Sequence, residues 1–125
     1  MEYRKMENLG ISTSLLGFGC MRFPTNADGS INEEDALAMI DRAYQSGVTY
    51  FDTAYPYHDG KSEVVTGKAL ARYPRDSYYL ATKLPVWSVK TIGDVERIFQ
   101  EQLQRLQKAY VDFYLMHALN GERWK

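Results

Sequence analysis

The chain has 125 residues, with 16 acidic against 15 basic side chains and a formal net charge of −1 at pH 7. This length predicts one domain, and the near-neutral charge excludes the strong field that attracts nucleic acid or an anionic membrane surface. No apolar run approaches a membrane span, and the polar start lacks the apolar core of a secretory signal. The single cysteine, Cys20, cannot form an internal disulfide. We therefore predict a cytoplasmic protein in which Cys20 is a small buried hydrophobe.

The first half of the chain predicts a hairpin, a strand, a helix and a second strand. Residues 8–10 form the turn of the hairpin, and residues 15–20 form a buried strand. Asn32 is the predicted N-cap of a helix with an acidic first turn, and Gly47 ends that helix. Residues 48–51 begin the next strand.

The second half repeats this alternation. Ser62 is the predicted cap of a helix over residues 63–72, and a third strand spans 78–83. A capping box of Thr91 and Asp94 starts a helix with an apolar stripe and a glutamine-rich opposite face. Residues 111–116 form a fourth strand.

Strands recur about every 30 residues with one helix between each pair. This spacing is typical of βαβ units, so the strands are expected to be parallel with right-handed crossovers. The predicted class is therefore α/β. Periodicity alone leaves two architectures open, an open doubly wound sheet and a closed (β/α)8 barrel.

Polar side chains follow the C-terminal ends of three of these strands. Asp52 ends the second strand, with Tyr57 in the loop after it, Lys83 ends the third and His117 the fourth. Because parallel strands end along one face, we expect these groups to converge there. Each residue alone has a simpler interpretation. Asp52 could cap a turn, Lys83 could be a surface lysine, His117 could lie at the edge of the core, and Tyr57 is one of ten tyrosines. Their joint occurrence favours a functional site.

This combination of groups suits the reduction of a carbonyl. An ammonium beside a tyrosine favours the phenolate, a carboxylate keeps that ammonium charged, and an imidazole can bond a substrate oxygen. The tyrosine would then protonate the developing alkoxide. No side chain supplies hydride, so the chemistry requires a nicotinamide or flavin cofactor.

A metal-dependent hydrolase is the alternative interpretation of the same region. His58, Asp59 and Glu63 lie in one loop, and with His117 they would suit a hard or borderline metal ion. The lysine and the tyrosine would then have no role. The prediction is therefore that the chain has no metal site.

Several short motifs resemble the signature of the aldo-keto reductases. The motifs are Phe-Asp-Thr-Ala at 51–54 with Tyr57, Gly-Lys-Ser-Glu at 60–63, Ala-Thr-Lys at 81–83 and Leu-Met-His at 115–117. The resemblance extends from Leu15 to His117 and implies a (β/α)8 barrel that uses NADP(H) or, less often, NAD(H). The implied substrate is a small aldehyde or ketone, which is reduced to the alcohol.

The resemblance also implies a role for each residue of the strand-end set. Tyr57 is expected to be the general acid in reduction and the base in oxidation. Lys83 and Asp52 are expected to form the ion pair that favours the phenolate form of Tyr57. His117 is expected to orient the substrate carbonyl. His58 departs from the glycine that is commonest at this position in the family.

Further positions are implied to contact the cofactor or the substrate. Gly19 and Met21 are expected near the cofactor together with Asp52, and Trp87 is expected to line the substrate pocket beside His117. Residues 17–22 and 117–121 are similar to bacterial members that carry a C-terminal iron-sulfur domain. One cysteine could not bind such a cluster.

The length of the chain limits how much of the barrel is expected. A complete barrel needs about 250 residues. We therefore predict that residues 1–125 form a partial aldo-keto reductase domain, the N-terminal half of the barrel, with about four parallel strands and three helices after a short hairpin. This polypeptide looks truncated, so weak cofactor binding and little turnover are expected from it alone. The alternative is a noncatalytic half barrel that forms a homodimer through open sheet edges.

Overall fold

The computed structural model describes residues 1–124. The chain begins with a hairpin in which β1 (Tyr3–Met6) pairs antiparallel with β2 (Ile11–Ser14). Between them, Gly10 has a φ of 66°, a left-handed conformation that glycine adopts without steric cost. The predicted hairpin and the position of its turn are confirmed.

The second sheet has four parallel strands in chain order. They are β3 (Phe18–Gly19), β4 (Tyr50–Asp52), β5 (Tyr79–Pro85) and β6 (Phe113–His117). The predicted parallel order is therefore confirmed. The first of these strands is shorter than the predicted span of 15–20, because the Ser14 hydroxyl donates to the Leu16 carbonyl and residues 15–16 form a bend.

Three helices alternate with these strands: α1 (Glu33–Gln45), α2 (Lys61–Leu70) and α3 (Ile92–Leu106). The Asn32 side chain accepts a hydrogen bond from the Asp35 backbone N–H, which confirms the predicted cap of α1. Thr91 and Asp94 form the predicted capping box of α3. None of the helices within residues 1–124 has the length and apolar character to cross a bilayer.

The predicted cap of α2 is wrong. The helix starts at Lys61, directly after Gly60, whose φ is 83°. Ser62 lies inside the helix, and its buried hydroxyl donates to the Cys20 carbonyl at 2.8 Å and lies 2.9 Å from the Thr53 hydroxyl. The serine therefore joins α2 to the ends of two strands.

The apolar core lies between the sheet and the helices. Burial raises the pKa of Cys20 to about 12, so this thiol stays protonated and unreactive at neutral pH. The interpretation of Cys20 as a small buried hydrophobe is confirmed. The buried residues of the core cluster are Cys20, Phe23, Ala36, Ile40, Val48, Phe51, Val65, Ala69, Leu70, Tyr78, Leu80 and Leu106.

Two helical glycines differ in the space around them, and this predicts opposite effects on stability. A Cβ added at Gly67 would lie 2.1 Å from the Leu106 carbonyl oxygen, because α2 and α3 approach closely there. We expect Gly67→Ala to lower the free energy of unfolding by roughly 1–3 kcal/mol. Gly93→Ala is the control, since its added methyl meets only the Thr91 hydroxyl at 3.6 Å. It should raise stability by about 1 kcal/mol in urea unfolding. Equal effects would contradict the close helix contact.

Candidate active site

Lys83 is the centre of a polar group at the C-terminal ends of the parallel strands. Its ammonium nitrogen lies 2.5 Å from Asp52 Oδ1, 2.8 Å from the Thr53 carbonyl oxygen and 3.2 Å from Tyr57 Oη. The Lys83 side chain is 14% exposed and that of Asp52 is 28% exposed, so water screens their attraction only partly. The structure thus brings three of the predicted site residues into direct contact.

Strand register explains why these residues meet. Asp52 on β4 pairs with Ala81 of β5, and Lys83 lies two residues further along β5, at the same end of the sheet. On β6, His117 pairs with Pro85. The side chains therefore share one edge of the sheet because the strands that carry them are parallel and in register.

His117 and Trp87 lie at the same C-terminal end of the sheet. The His117 ring lies edge-on to the Tyr57 ring, with centroids 5.6 Å apart, and 5.2 Å from the Trp87 ring. Within residues 1–124, His117 Nδ1 is buried and has no hydrogen-bond partner. An unpaired buried ring nitrogen is costly, so this atom is a candidate for contact with a bound molecule.

Burial lowers the pKa of His117, and the nearby Lys83 charge lowers it further, against a smaller opposing effect of Asp52. The imidazole is therefore neutral at pH 7 and carries a single N–H. Since the folded pKa lies below the ordinary value of 6.5, the unfolded chain binds the proton more readily. This residue's contribution to stability is complete above that value and is lost as the pH falls below it.

This arrangement predicts a measurable coupling between Lys83 and His117. Replacing Lys83 with methionine removes a positive charge, so we expect the pKa of His117 to rise in Lys83→Met. The titration can be followed by NMR on the ring carbons, because the chain has only two histidines. His58→Gln would assign the two signals. Replacement of exposed Lys90 with methionine serves as the control, and an unmoved titration in Lys83→Met would contradict the proximity of the two groups.

Tyr57 is carried by a loop of unusual backbone conformation. The three residues after it, His58, Asp59 and Gly60, have φ angles of 51°, 53° and 83°. For the first two residues this left-handed conformation is costly, since both carry a Cβ. His58 Nε2 accepts a hydrogen bond from the Phe23 backbone N–H at 3.1 Å, and the two rings stack. These contacts stabilise the loop.

The residues expected near the cofactor lie at the same edge. Gly19 pairs with Asp52 in the register of β3 and β4. Apart from its two chain neighbours, no residue has an atom within 4 Å of the position of a Cβ at Gly19, so the space beside this backbone is open. Met21 follows with a side chain that is 47% exposed. This open surface beside Asp52 is compatible with a bound cofactor.

A buried polar group behind Lys83 was missed in the sequence. Glu63 of α2 and Gln102 of α3 are both fully buried. Glu63 Oε1 accepts hydrogen bonds from the Thr82 hydroxyl at 2.6 Å and from the Gln102 amide at 2.7 Å. The sequence predicts a glutamine-rich face opposite the apolar stripe of α3, but Gln102 lies in the interior. Only its spacing indicates that Gln102 is buried. It lies four residues from both Ile98 and Leu106, which belong to the apolar stripe of α3.

Arg105 connects this polar group to the Tyr57 loop. Its guanidinium lies 3.3 Å from Glu63 Oε2, donates to the Tyr55 carbonyl at 3.2 Å and stacks on the Tyr55 ring. It also lies against Gly60, where an added Cβ would come within 2.9 Å of it. The loop that carries Tyr57 is thus anchored to α3 on both sides of the tyrosine.

The alternative metal site is not formed. Within the part of the chain that the structure describes, no group of three or more His, Cys, Asp and Glu side chains is placed to hold a metal ion. His58 is bonded to the Phe23 backbone, and Glu63 is bonded to Thr82, Gln102 and Arg105. The four residues of that hypothesis therefore do not share one site.

Comparison with known proteins places this chain in a family. A profile of the Aldo/keto reductase family matches residues 15–122. Probable aldo-keto reductase 1 from Glycine max is 33% identical over 93% of this chain. The thermostable aldo-keto reductase Tm1743 has a TM-score of 0.83 at 28% identity over 98% of the chain. An aldo-keto reductase from Klebsiella pneumoniae, solved in complex with NADPH, has a TM-score of 0.78 at 27% identity over 94% of the chain.

The matched proteins are longer than this chain. The chain spans 36% of the Glycine max protein, 44% of Tm1743 and 40% of the Klebsiella pneumoniae enzyme. Its four parallel strands and three helices correspond to half of their barrel, so the predicted half-barrel architecture is confirmed. The chain belongs to the aldo-keto reductase family.

Proposed function

We propose that this chain carries the catalytic half of an oxidoreductase that reduces aldehydes or ketones with NADP(H), or NAD(H). The observation that carries the proposal is the position of the Lys83 ammonium, 2.5 Å from Asp52 and 3.2 Å from the Tyr57 hydroxyl. With His117, these residues are called the catalytic set below. The NADPH complex of the Klebsiella pneumoniae relative supports the choice of cofactor.

Each member of the catalytic set has a task in this proposal. Tyr57 donates its phenolic proton to the carbonyl oxygen as negative charge develops there, and recovers it from the alcohol in the reverse reaction. The Lys83 ammonium stabilises the phenolate that remains, and Asp52 balances the charge of Lys83. The neutral His117 ring donates its N–H to the carbonyl oxygen and orients it.

We propose that Gly19, Met21 and Asp52 hold the cofactor. The backbone at Gly19 is open, the Met21 side chain is exposed, and Gly19 pairs with Asp52 in the sheet. The nicotinamide would supply the hydride. The Trp87 indole, 47% exposed and packed against His117, is proposed to cover one side of the substrate.

The direct test is turnover by the chain itself. The purified protein is mixed with NADPH and 4-nitrobenzaldehyde as an aldehyde probe, and oxidation is followed at the nicotinamide absorbance band. Fluorescence titration with NADPH and with NADH gives the two affinities. Aldehyde-dependent oxidation supports the proposal. Binding and turnover that are both absent would contradict the proposal for this chain.

Exposed apolar side chains favour a second candidate function, a half barrel that associates with another copy. Leu15 and Leu16 are 55% and 62% exposed beside β3, and Leu115 and Met116 are 40% and 57% exposed on β6. Both are edge strands of the sheet within residues 1–124, and such edges pair readily with another chain. Sedimentation velocity distinguishes the two candidates, since a monomer that binds and oxidises NADPH would contradict the need for association.

A further inference from the structure

We propose that Gln102 is a positioning residue that sets the spacing between the strands of the catalytic set. The inference concerns a side chain that does not touch the reacting groups. It rests on the proposed function for its catalytic consequence, while its geometric part can be tested without turnover.

Gln102 lies in α3 with its side chain fully buried. A buried amide is costly unless its polar atoms are bonded, and both ends of this one have partners. The amide nitrogen lies 2.7 Å from Glu63 Oε1, 3.0 Å from Thr82 Oγ1 and 3.0 Å from the Lys83 carbonyl oxygen. The amide oxygen accepts from the Tyr114 hydroxyl at 2.8 Å.

These partners lie on three elements next to members of the catalytic set. Lys83 belongs to β5, Tyr114 belongs to β6, which ends at His117, and Glu63 belongs to α2, which follows the Tyr57 loop. One planar amide therefore connects the elements on which a lysine, a histidine and a tyrosine must be aligned. Its nitrogen has two hydrogens for three acceptors, so small movements of any element change the shared bonds.

Packing alone does not explain a glutamine at this position. A methionine would fill a similar volume. What the methionine lacks is the directional contact with the Lys83 carbonyl and the Tyr114 hydroxyl. Buried hydrogen-bond networks of this kind stabilise one arrangement over close alternatives, and catalysis depends on alignment at the scale of about 1 Å.

The test compares Gln102→Met with Gln104→Met, the same chemical change at an exposed glutamine on the same helix. Tyr114→Phe is a second variant, which removes only the hydroxyl that donates to Gln102. Two quantities are measured in each protein. One is the His117 titration by NMR, and the other is kcat with NADPH and 4-nitrobenzaldehyde, alongside the Kd for NADPH.

In Gln102→Met we expect kcat to fall about 100-fold, while the Kd for NADPH stays unchanged. The pKa of His117 should rise, because the ring becomes less buried. Tyr114→Phe should change both in the same direction by less, and Gln104→Met should match the unsubstituted protein. A folded Gln102→Met with an unchanged His117 titration would overturn the proposal. If that variant does not fold, an unchanged titration in Tyr114→Phe would overturn it.

Failure of the proposed function gives a different result. If the unsubstituted chain neither binds nor oxidises NADPH, the kinetic comparison ends there and the reductase proposal fails for this chain. The His117 titration still reports whether Gln102 fixes the strand that ends at that residue. An upward shift in Gln102→Met and Tyr114→Phe, with none in Gln104→Met, would then support the geometric role alone.

Discussion

Replacing Tyr57 with phenylalanine is expected to lower the rate of carbonyl reduction by about 100- to 10,000-fold, the usual contribution of a positioned general acid. The substitution removes one oxygen atom, which lies 3.2 Å from the Lys83 ammonium. The ring can keep its edge-on contact with His117. NADPH affinity should therefore stay unchanged, because the proposed cofactor contacts lie at Gly19, Met21 and Asp52.

Tyr55→Phe is the matched control for this experiment. Tyr55 lies in the same loop, and its hydroxyl donates to Glu101 Oε2 at 3.0 Å, away from Lys83. Its loss should leave turnover close to that of the unsubstituted chain. Both variants are measured for kcat, for KM and for NADPH affinity by fluorescence. An equal loss of turnover and affinity in Tyr57→Phe, or equal loss in the two variants, would contradict the acid/base role of Tyr57.

The candidate site could be predicted from the sequence because three of its residues lie at or near the C-terminal ends of strands. Asp52, Lys83 and His117 each stand at the end of an apolar run, and a parallel sheet places such ends on one edge. The contacts among Asp52, Tyr57 and Lys83 follow from that topology.

The interior behind the site could not be predicted in the same way. Glutamate and glutamine in a helix normally face water, and Glu63 and Gln102 are buried only because each meets partners from distant parts of the chain. The position of Ser62 predicts a helix cap, but its side chain points inward and donates to the Cys20 carbonyl. Side-chain direction at such positions depends on tertiary contacts, which local pattern does not contain.

Loss of the Glu63 side chain is expected to be strongly destabilising. Its side chain is fully buried, and its carboxylate meets the Thr82 hydroxyl, the Gln102 amide and the Arg105 guanidinium. Removing this carboxylate takes a buried acceptor away from all three groups and leaves Arg105 with Glu101 as its remaining carboxylate partner. We therefore expect Glu63→Ala to lower the free energy of unfolding by about 3–5 kcal/mol.

Glu101→Ala tests whether burial, rather than the ion pair itself, is responsible. Glu101 also bonds Arg105, at 2.5 Å, but its side chain is 37% exposed and water replaces much of what is lost. Its removal should cost no more than about 1 kcal/mol. Glu63→Gln keeps the size of the side chain and acceptors for Thr82 while removing the charge, so its loss in free energy of unfolding should lie between the other two.

Urea unfolding followed by circular dichroism gives all three values. Similar losses in Glu63→Ala and Glu101→Ala would mean that the buried carboxylate is not the anchor of Arg105, and that the Tyr57 loop is stabilised from the exposed side of α3 instead.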